Sequence, residues 1–325
     1  MSYSPASILS SGTFPNLVAI YYETKPIANL KATTPFLAEC EQYPLPLRSG
    51  NQIQFFTYSL LSGNTSQAPE GTVGSPISES TTKIVATIGQ YADFINSSDL
   101  AMEVAIDNPS LLQNLSDELN YRLSLTLNSL VQITADTANA VDANVNSTLV
   151  NGSYLTASNI RSTVASLVAV NALAKSGGSF GGIIHPNVVK DVFNDTSNNG
   201  LVDIIKRSPG GMAMLEKLPS NDAPFSFGGV DFRQTTTAPT STISGNTYYS
   251  TYIFGKDAIF AVNLGGDGGG KNYKMNMRVA PAGGSVSDPA GQIGGWCSYN
   301  LKFTTTLRPG TTMTMRKVLS ETSAS

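Results

Sequence analysis

The residue types that could carry catalysis are scarce in this chain, which has one histidine and two cysteines among 325 residues. A triad built on histidine would have to use His185, which ends an apolar run and precedes Pro186, a place typical of a structural histidine. Cys40 and Cys297 lie far from each other and from His185, so the three residues lack the spacing of a zinc site. They predict neither a metal nor a cofactor.

A glycine-rich segment, residues 265–272, has the spacing G-x-x-x-x-G-K of a phosphate-binding loop. Asn272 stands where such a loop needs serine or threonine to hold magnesium. The loop should also open a helix whose amides cradle phosphate, yet residues 274–279 alternate like a strand. The pattern therefore predicts a solvent-exposed loop. We expect the protein not to be an enzyme.

The charge balance argues against a dedicated nucleic-acid binder, which would be distinctly basic. Charged residues make up 13% of the chain, the formal net charge is −3 and the pI is about 5.2. Serine, threonine, asparagine and glycine fill the deficit. Burying hydroxyls and amides costs less desolvation than burying Lys or Glu, so this composition suits large contact areas.

The first sixteen residues have no basic stretch followed by an apolar one, so they do not predict a signal peptide. No apolar run approaches the roughly 18 residues needed to span a membrane. Two distant cysteines are also fewer than a secreted disulfide scaffold uses. We expect a product made in the cytoplasm, with reduced thiols and no membrane partner.

A long hairpin is predicted in the N-terminal half. An alternating run at 53–60 and an extended run at 82–88 are separated by about twenty Gly-, Ser-, Pro- and Thr-rich residues. Such an exposed hairpin is an aggregation hazard in a monomer and a contact arm in an oligomer. Alternation places Ile53, Phe55, Thr57 and Ser59 on one face, and Gln54, Phe56, Tyr58 and Leu60 on the other.

A long helix is predicted over 110–140, where leucines recur every four residues from Leu111 to Leu127. It would be about 45 Å long at 1.5 Å per residue. A second helix is predicted over 158–175, followed by a small strand–helix–helix unit around His185. The last hundred residues read as strands, closing with a hairpin of 296–306 and 311–319 around Arg308-Pro309-Gly310. The fold class is therefore α+β.

Four segments carry a resemblance to a known family. Gly182–Val192 resembles the strand–His-Pro–helix signature of major capsid proteins of tailed bacteriophages of the phage N4 type. Phe227–Thr235 is similar to that family's glycine-led strand, and Ile253–Ala258 to its "fGkdA" segment. Asp288–Trp296 resembles its near-terminal "DP-x-G-Q … G-W" stretch. The segments occur in the family's order, and the resemblance covers roughly residues 35–310.

The resemblance implies the Hong Kong 97-like major capsid fold and, with it, a division of the chain. It brings no catalytic residues. The implied parts are an N-terminal arm at 1–45, an E-loop hairpin at 46–90, a P-domain at 91–175 with the spine helix at 110–140, an A-domain at 176–285, and a C-terminal β-hairpin returning to the P-domain at 286–325.

The implied function is structural: copies of the chain would form the hexamers and pentamers of an icosahedral head that encloses double-stranded DNA without binding it specifically. The hairpin would lie over a neighbour's spine helix, and the expected subunit-contact residues are Phe55, Phe56, Tyr58 and Lys83. A separate scaffolding protein, a portal and a possible decoration protein are the implied partners. The implied location is the virion.

Three alternatives stay open. One is an enzyme that uses the glycine-rich loop, which Lys271→Ala would reveal through lost nucleotide binding. An encapsulin-like nanocompartment would share the fold and would predict a cargo enzyme encoded next to it. A phage decoration or tail protein would be more purely β and would lack the spine helix.

Overall fold

A computed structural model of the chain describes fourteen stretches, and every structural statement below concerns these residues. The N-terminal arm before residue 31, most of the hairpin tip, the loop at 265–272 and the turn at 309–313 lie outside them. The described stretches are residues 31–32, 34–65, 67, 70–71, 77–104, 108–138, 154–175, 177–196, 200–207, 225–243, 245–264, 273–279, 292–308 and 314–322.

The first sheet is built around one long strand. β12 is fifteen residues long and is flanked by β4 on one side and by β10 and β11 on the other, all antiparallel to it. β1 then pairs with β10 in parallel. The bounds are β1 Glu41–Leu45, β4 Gly89–Ser98, β10 Ile259–Leu264, β11 Tyr273–Val279 and β12 Ile293–Leu307.

The second sheet has the order β13-β9-β5-β7-β6, with β8 paired to β9. β5 and β7 are parallel, and the connection between them contains two helices, so this is a small α/β unit as the sequence predicts. The bounds are β5 Phe180–Ile184, β6 Phe225–Phe227, β7 Val230–Gln234, β8 Thr240–Ile243, β9 Asn246–Phe254, β13 Met315–Glu321, α4 Ala157–Ala169, α5 Pro186–Phe193 and α6 Leu201–Lys206.

Helix α3, Asn108–Ala138, confirms the long helix predicted over 110–140, of which residues 139–140 lie outside the described stretches. Its apolar stripe is fully buried and shares one core cluster with residues of both sheets, among them Tyr252 and Phe303. Two shorter helices, α1 Phe36–Glu39 and α2 Asp99–Val104, pack beside it. The buried stripe consists of Leu119, Leu123, Leu127, Val131 and Ala135.

Polar contacts hold the end of α3 between the two sheets. The Thr134 hydroxyl lies 2.5 Å from that of Thr305 on β12. Asp136, two residues or about 200° further round the helix, accepts hydrogen bonds from the Tyr252 hydroxyl at 2.8 Å and from the Lys317 ammonium at 2.5 Å. The two sheets therefore bind this end of the helix from opposite sides.

The predicted C-terminal hairpin is wrong. β12 belongs to the first sheet and β13 pairs with β9 in the second, so the two strands are not partners. β13 is buried along nearly its whole length, so both of its faces must be covered. It contacts α3 through Lys317 and Asp136, and it also packs against α4. β10 and β11, which fall within 176–285, also pair in the first sheet, so that range contributes to both sheets.

The contact between Asp136 and Lys317 yields a stability prediction. Asp136→Ala leaves the buried Lys317 ammonium without its carboxylate, so we expect the free energy of unfolding to fall by about 1–3 kcal/mol. The matched control is Asp93→Ala, which removes a more exposed pair with Arg122 and should cost less than about 1 kcal/mol. Urea unfolding of both variants measures the difference. Equal losses of unfolding free energy would contradict a stabilising role of the Asp136–Lys317 contact.

Candidate subunit-contact surface

The predicted hairpin is present as a two-stranded antiparallel sheet, β2 Gln52–Tyr58 and β3 Thr81–Thr87. Phe56 lies directly opposite Lys83, and Phe55 opposite Ile84. Burial alternates along β2, so the two faces inferred from the sequence pattern are confirmed. They differ in what covers them.

The inner face rests on the first sheet of the same chain. The Phe55 ring stacks on that of Phe260 with centroids 5.0 Å apart, and it meets the Tyr43 ring edge-on at 5.1 Å. Ile84 and Ala86 on β3 are also buried. Phe55 thus has an intrachain contact, and its part in a subunit contact stays a prediction.

The outer face is uncovered. Phe56 and Tyr58 are 61% and 65% exposed, and Val85 is 43% exposed. Lys83 lies among them on the same face. We call these four residues the hairpin outer face. An exposed pair of aromatic side chains beside an aliphatic one is typical of an interaction surface, because aromatic rings contribute most of the energy of such contacts.

His185 has the structural role that its place in the sequence predicts. It caps α5, its Nδ1 accepting a hydrogen bond from the Asn187 amide at 3.1 Å, and its ring lies 4.3 Å from that of Tyr249. Burial lowers the pKa of the imidazole. A neutral ring with an acceptor nitrogen fits this cap.

The chain contains one further sequence that is typical of catalytic serines. Gly177-Gly178-Ser179-Phe180-Gly181 has the spacing G-x-S-x-G of a nucleophile elbow. The elbow places its serine between a strand and a helix, whereas Ser179 comes directly before strand β5. The six residues to His185 run along that strand, which separates the two by about 20 Å at 3.3 Å per residue. The motif forms no catalytic pair here.

A cluster of charged side chains lines a cavity of about 420 Å³ between α1 and β7. Glu39 is buried, and its carboxylate pairs with the Lys175 ammonium at 2.5 Å and with Nε of Arg233 at 2.6 Å. Lys175 also donates to the backbone carbonyl of Glu39 at 2.7 Å. Each of these three charges has an opposite partner, which is the pattern of a structural ion-pair cluster.

Within the described stretches, no group of three or more His, Cys, Asp or Glu side chains could hold a metal ion. No helix there is long and apolar enough to cross a membrane.

The comparisons with known proteins identify the fold. No family model and no curated protein matches the sequence. Among solved structures, the chain is similar to the capsid of Ralstonia phage GP4 (8% identity, TM-score 0.71, 98% of each chain). It is also similar to the capsid of Cyanophage P-SCSP1u (14%, 0.64, 95% of this chain and 94% of that one) and to the Cyanophage Pam1 capsid (10%, 0.64, 100% and 99%). The chain has the mixed helix-and-sheet fold of phage capsid chains over its whole length.

Adjacent residues on the two faces of β2 should respond differently to truncation. Phe55→Ala removes the stack on Phe260 and should lower the free energy of unfolding by about 1–3 kcal/mol. Phe56→Ala removes an exposed ring and should change it by less than about 0.5 kcal/mol. Urea unfolding, with hydrogen exchange of the β2 and β3 amides, measures both. A larger loss for Phe56→Ala would reverse the assignment of the faces.

Both cysteine thiols should be slow to react in the folded chain. Cys40 and Cys297 are buried, and burial raises the pKa of the Cys40 thiol to about 12 and also raises that of Cys297. At pH 8 a chromogenic disulfide reagent should label both only after unfolding in urea, since the thiolate is the reactive form. Rapid labelling of the native chain would contradict their burial.

Proposed function

We propose that this chain is the major capsid protein of a tailed bacteriophage, of the phage N4 type and with the Hong Kong 97-like subdivision. Its copies assemble as hexamers and pentamers into an icosahedral shell. The observation that carries the proposal is the hairpin: one face is packed on its own subunit, while the opposite face presents Phe56 and Tyr58 uncovered. The end-to-end likeness to phage capsid chains supports it.

The hairpin outer face has the chemistry of a repeated, individually weak contact. Each aromatic side chain has a surface of roughly 150–250 Å², and burial contributes about 25 cal/mol per Å². Covering the exposed parts of Phe56 and Tyr58 therefore contributes about 5–8 kcal/mol per subunit before the entropy cost of association is subtracted. Contacts of this size can build a closed shell because each subunit repeats them around rotation axes.

The composition supports a container for DNA. With a net charge of −3, the shell wall would not hold phosphate strongly, so double-stranded DNA could enter and leave. The proposed location is the virion, after synthesis in the cytoplasm of the host bacterium. A separate scaffolding protein, a portal and a possible decoration protein remain proposed partners. The chain itself would have no catalytic role.

The 31-residue helix α3 speaks against the alternative of a decoration or tail protein, for which we expected a more purely β structure.

The proposal is tested by removing the uncovered aromatics. Phe56→Ser combined with Tyr58→Ser should leave a folded, soluble subunit that no longer forms shells, because both side chains are exposed in the single chain. The matched control, Phe56→Leu with Tyr58→Phe, keeps most of the apolar area and should assemble. Size exclusion and negative-stain electron microscopy, with and without candidate scaffolding protein, give the readout. Normal shells from the serine variant would refute this role of the hairpin.

A further inference from the structure

A second uncovered surface lies where strand β4 leads into helix α2. Leu100 and Val104 are 69% and 71% exposed, and Phe94 on β4 is 69% exposed. Met102 packs on the core cluster beneath α3. At 100° per residue, Leu100 and Val104 each point about 160° away from Met102. Phe94 likewise has the opposite direction to its neighbour Ile95, which packs on that core.

The charges of this surface are acidic. Asp99 and Glu103, one helical turn apart, are the only charged residues of α2, and both are exposed. By the same helical geometry they lie beside Leu100 and Val104, between them and the core side. We call Phe94, Leu100 and Val104, together with these two carboxylates, the β4–α2 surface.

The hairpin outer face is complementary to it in both respects. Phe56, Tyr58 and Val85 provide exposed apolar area, and Lys83 is the only charged residue of β2 and β3. A lone cation among apolar groups matches an apolar surface edged by two carboxylates. In a chain with 13% charged residues, charges of opposite sign on these two exposed apolar surfaces are a specific feature.

We infer that the β4–α2 surface receives the hairpin outer face of a second copy of this chain, with Lys83 beside Asp99 and Glu103. The inference rests on the proposed function and names the receiving site for its contact. The hairpin of the same chain is excluded because its inner face is fixed on the first sheet by the stack of Phe55 on Phe260. Turning the outer face inwards would break that stack.

The geometry has a consequence for assembly. The two surfaces are different parts of the chain, so each copy gives its hairpin to one neighbour and receives the hairpin of another. Such a heterologous contact closes into rings when the rotation allows it. The receiving site lies directly before α3, at the start of the spine helix over which the hairpin is expected to lie.

The test uses chains that each carry one cysteine substitution, co-assembled into particles. Chains with Lys83→Cys and chains with Glu103→Cys, the second carrying a size tag, are co-assembled and mildly oxidised. We expect a disulfide-linked heterodimer in the mixture on non-reducing gels and no such band from either chain alone. The native cysteines are buried and should add little background. The matched control replaces Glu103→Cys by Arg161→Cys, which is exposed on α4. A heterodimer yield no higher than this control would overturn the inference.

A charge exchange provides a second measurement. Lys83→Glu alone and Glu103→Lys alone should each lower the shell yield several-fold, because like charges would then meet at every contact. The combined variant should restore it. Single variants that assemble at the normal yield, or a combined variant that stays as defective as the singles, would overturn the inference. The double serine variant of Phe56 and Tyr58 distinguishes failure of this inference from failure of the proposed function. If that variant loses shells but no heterodimer forms, the hairpin contact is supported and only the receiving site is wrong.

Discussion

Burial of one stripe of helix α3 joins the two sheets of this protein. Residues of both sheets share one buried cluster with the stripe from Leu119 to Ala135, and the second sheet has a further cluster with α4, α5 and α6. Polar groups then fix the position of the helix. The buried Asn128 accepts a hydrogen bond from the Phe36 amide at 3.1 Å and donates one to the Thr237 hydroxyl at 3.1 Å. A buried amide with both partners in place permits few alternative positions of the helix.

The hairpin of β2 and β3 is connected to helix α3 by two successive packing contacts. The first sheet packs on α3, and Phe260 and Val262 of that sheet support the inner face of β2 and β3. The outer aromatics are therefore held in place before any partner arrives. Pre-organisation of this kind reduces the ordering entropy that a contact must overcome, so a small apolar area contributes more of its gross energy to association.

Charge is used sparingly and mostly over long distances in the sequence. Of the six ion pairs among the described residues, five join distant segments, such as Lys31 with Glu118 and Glu39 with Arg233. Glu39 ties α1 both to β7 and to Lys175, beyond the end of α4. Charged residues make up only 13% of the chain, and neutral polar surface loses less free energy by desolvation than charged surface when it is covered.

Elements with a local period could be predicted from the order of the amino acids. Recurrent leucines predicted α3, and alternation predicted the two faces of the hairpin, because period and element follow from backbone geometry alone. Which face of the hairpin is covered depends on tertiary contacts, since Phe55 and Phe56 have the same chemistry and differ only in what packs against them. It also separated β12 from β13, which the sequence predicted as one hairpin. Strand pairing depends on cover supplied by residues far along the chain, and no local pattern encodes that.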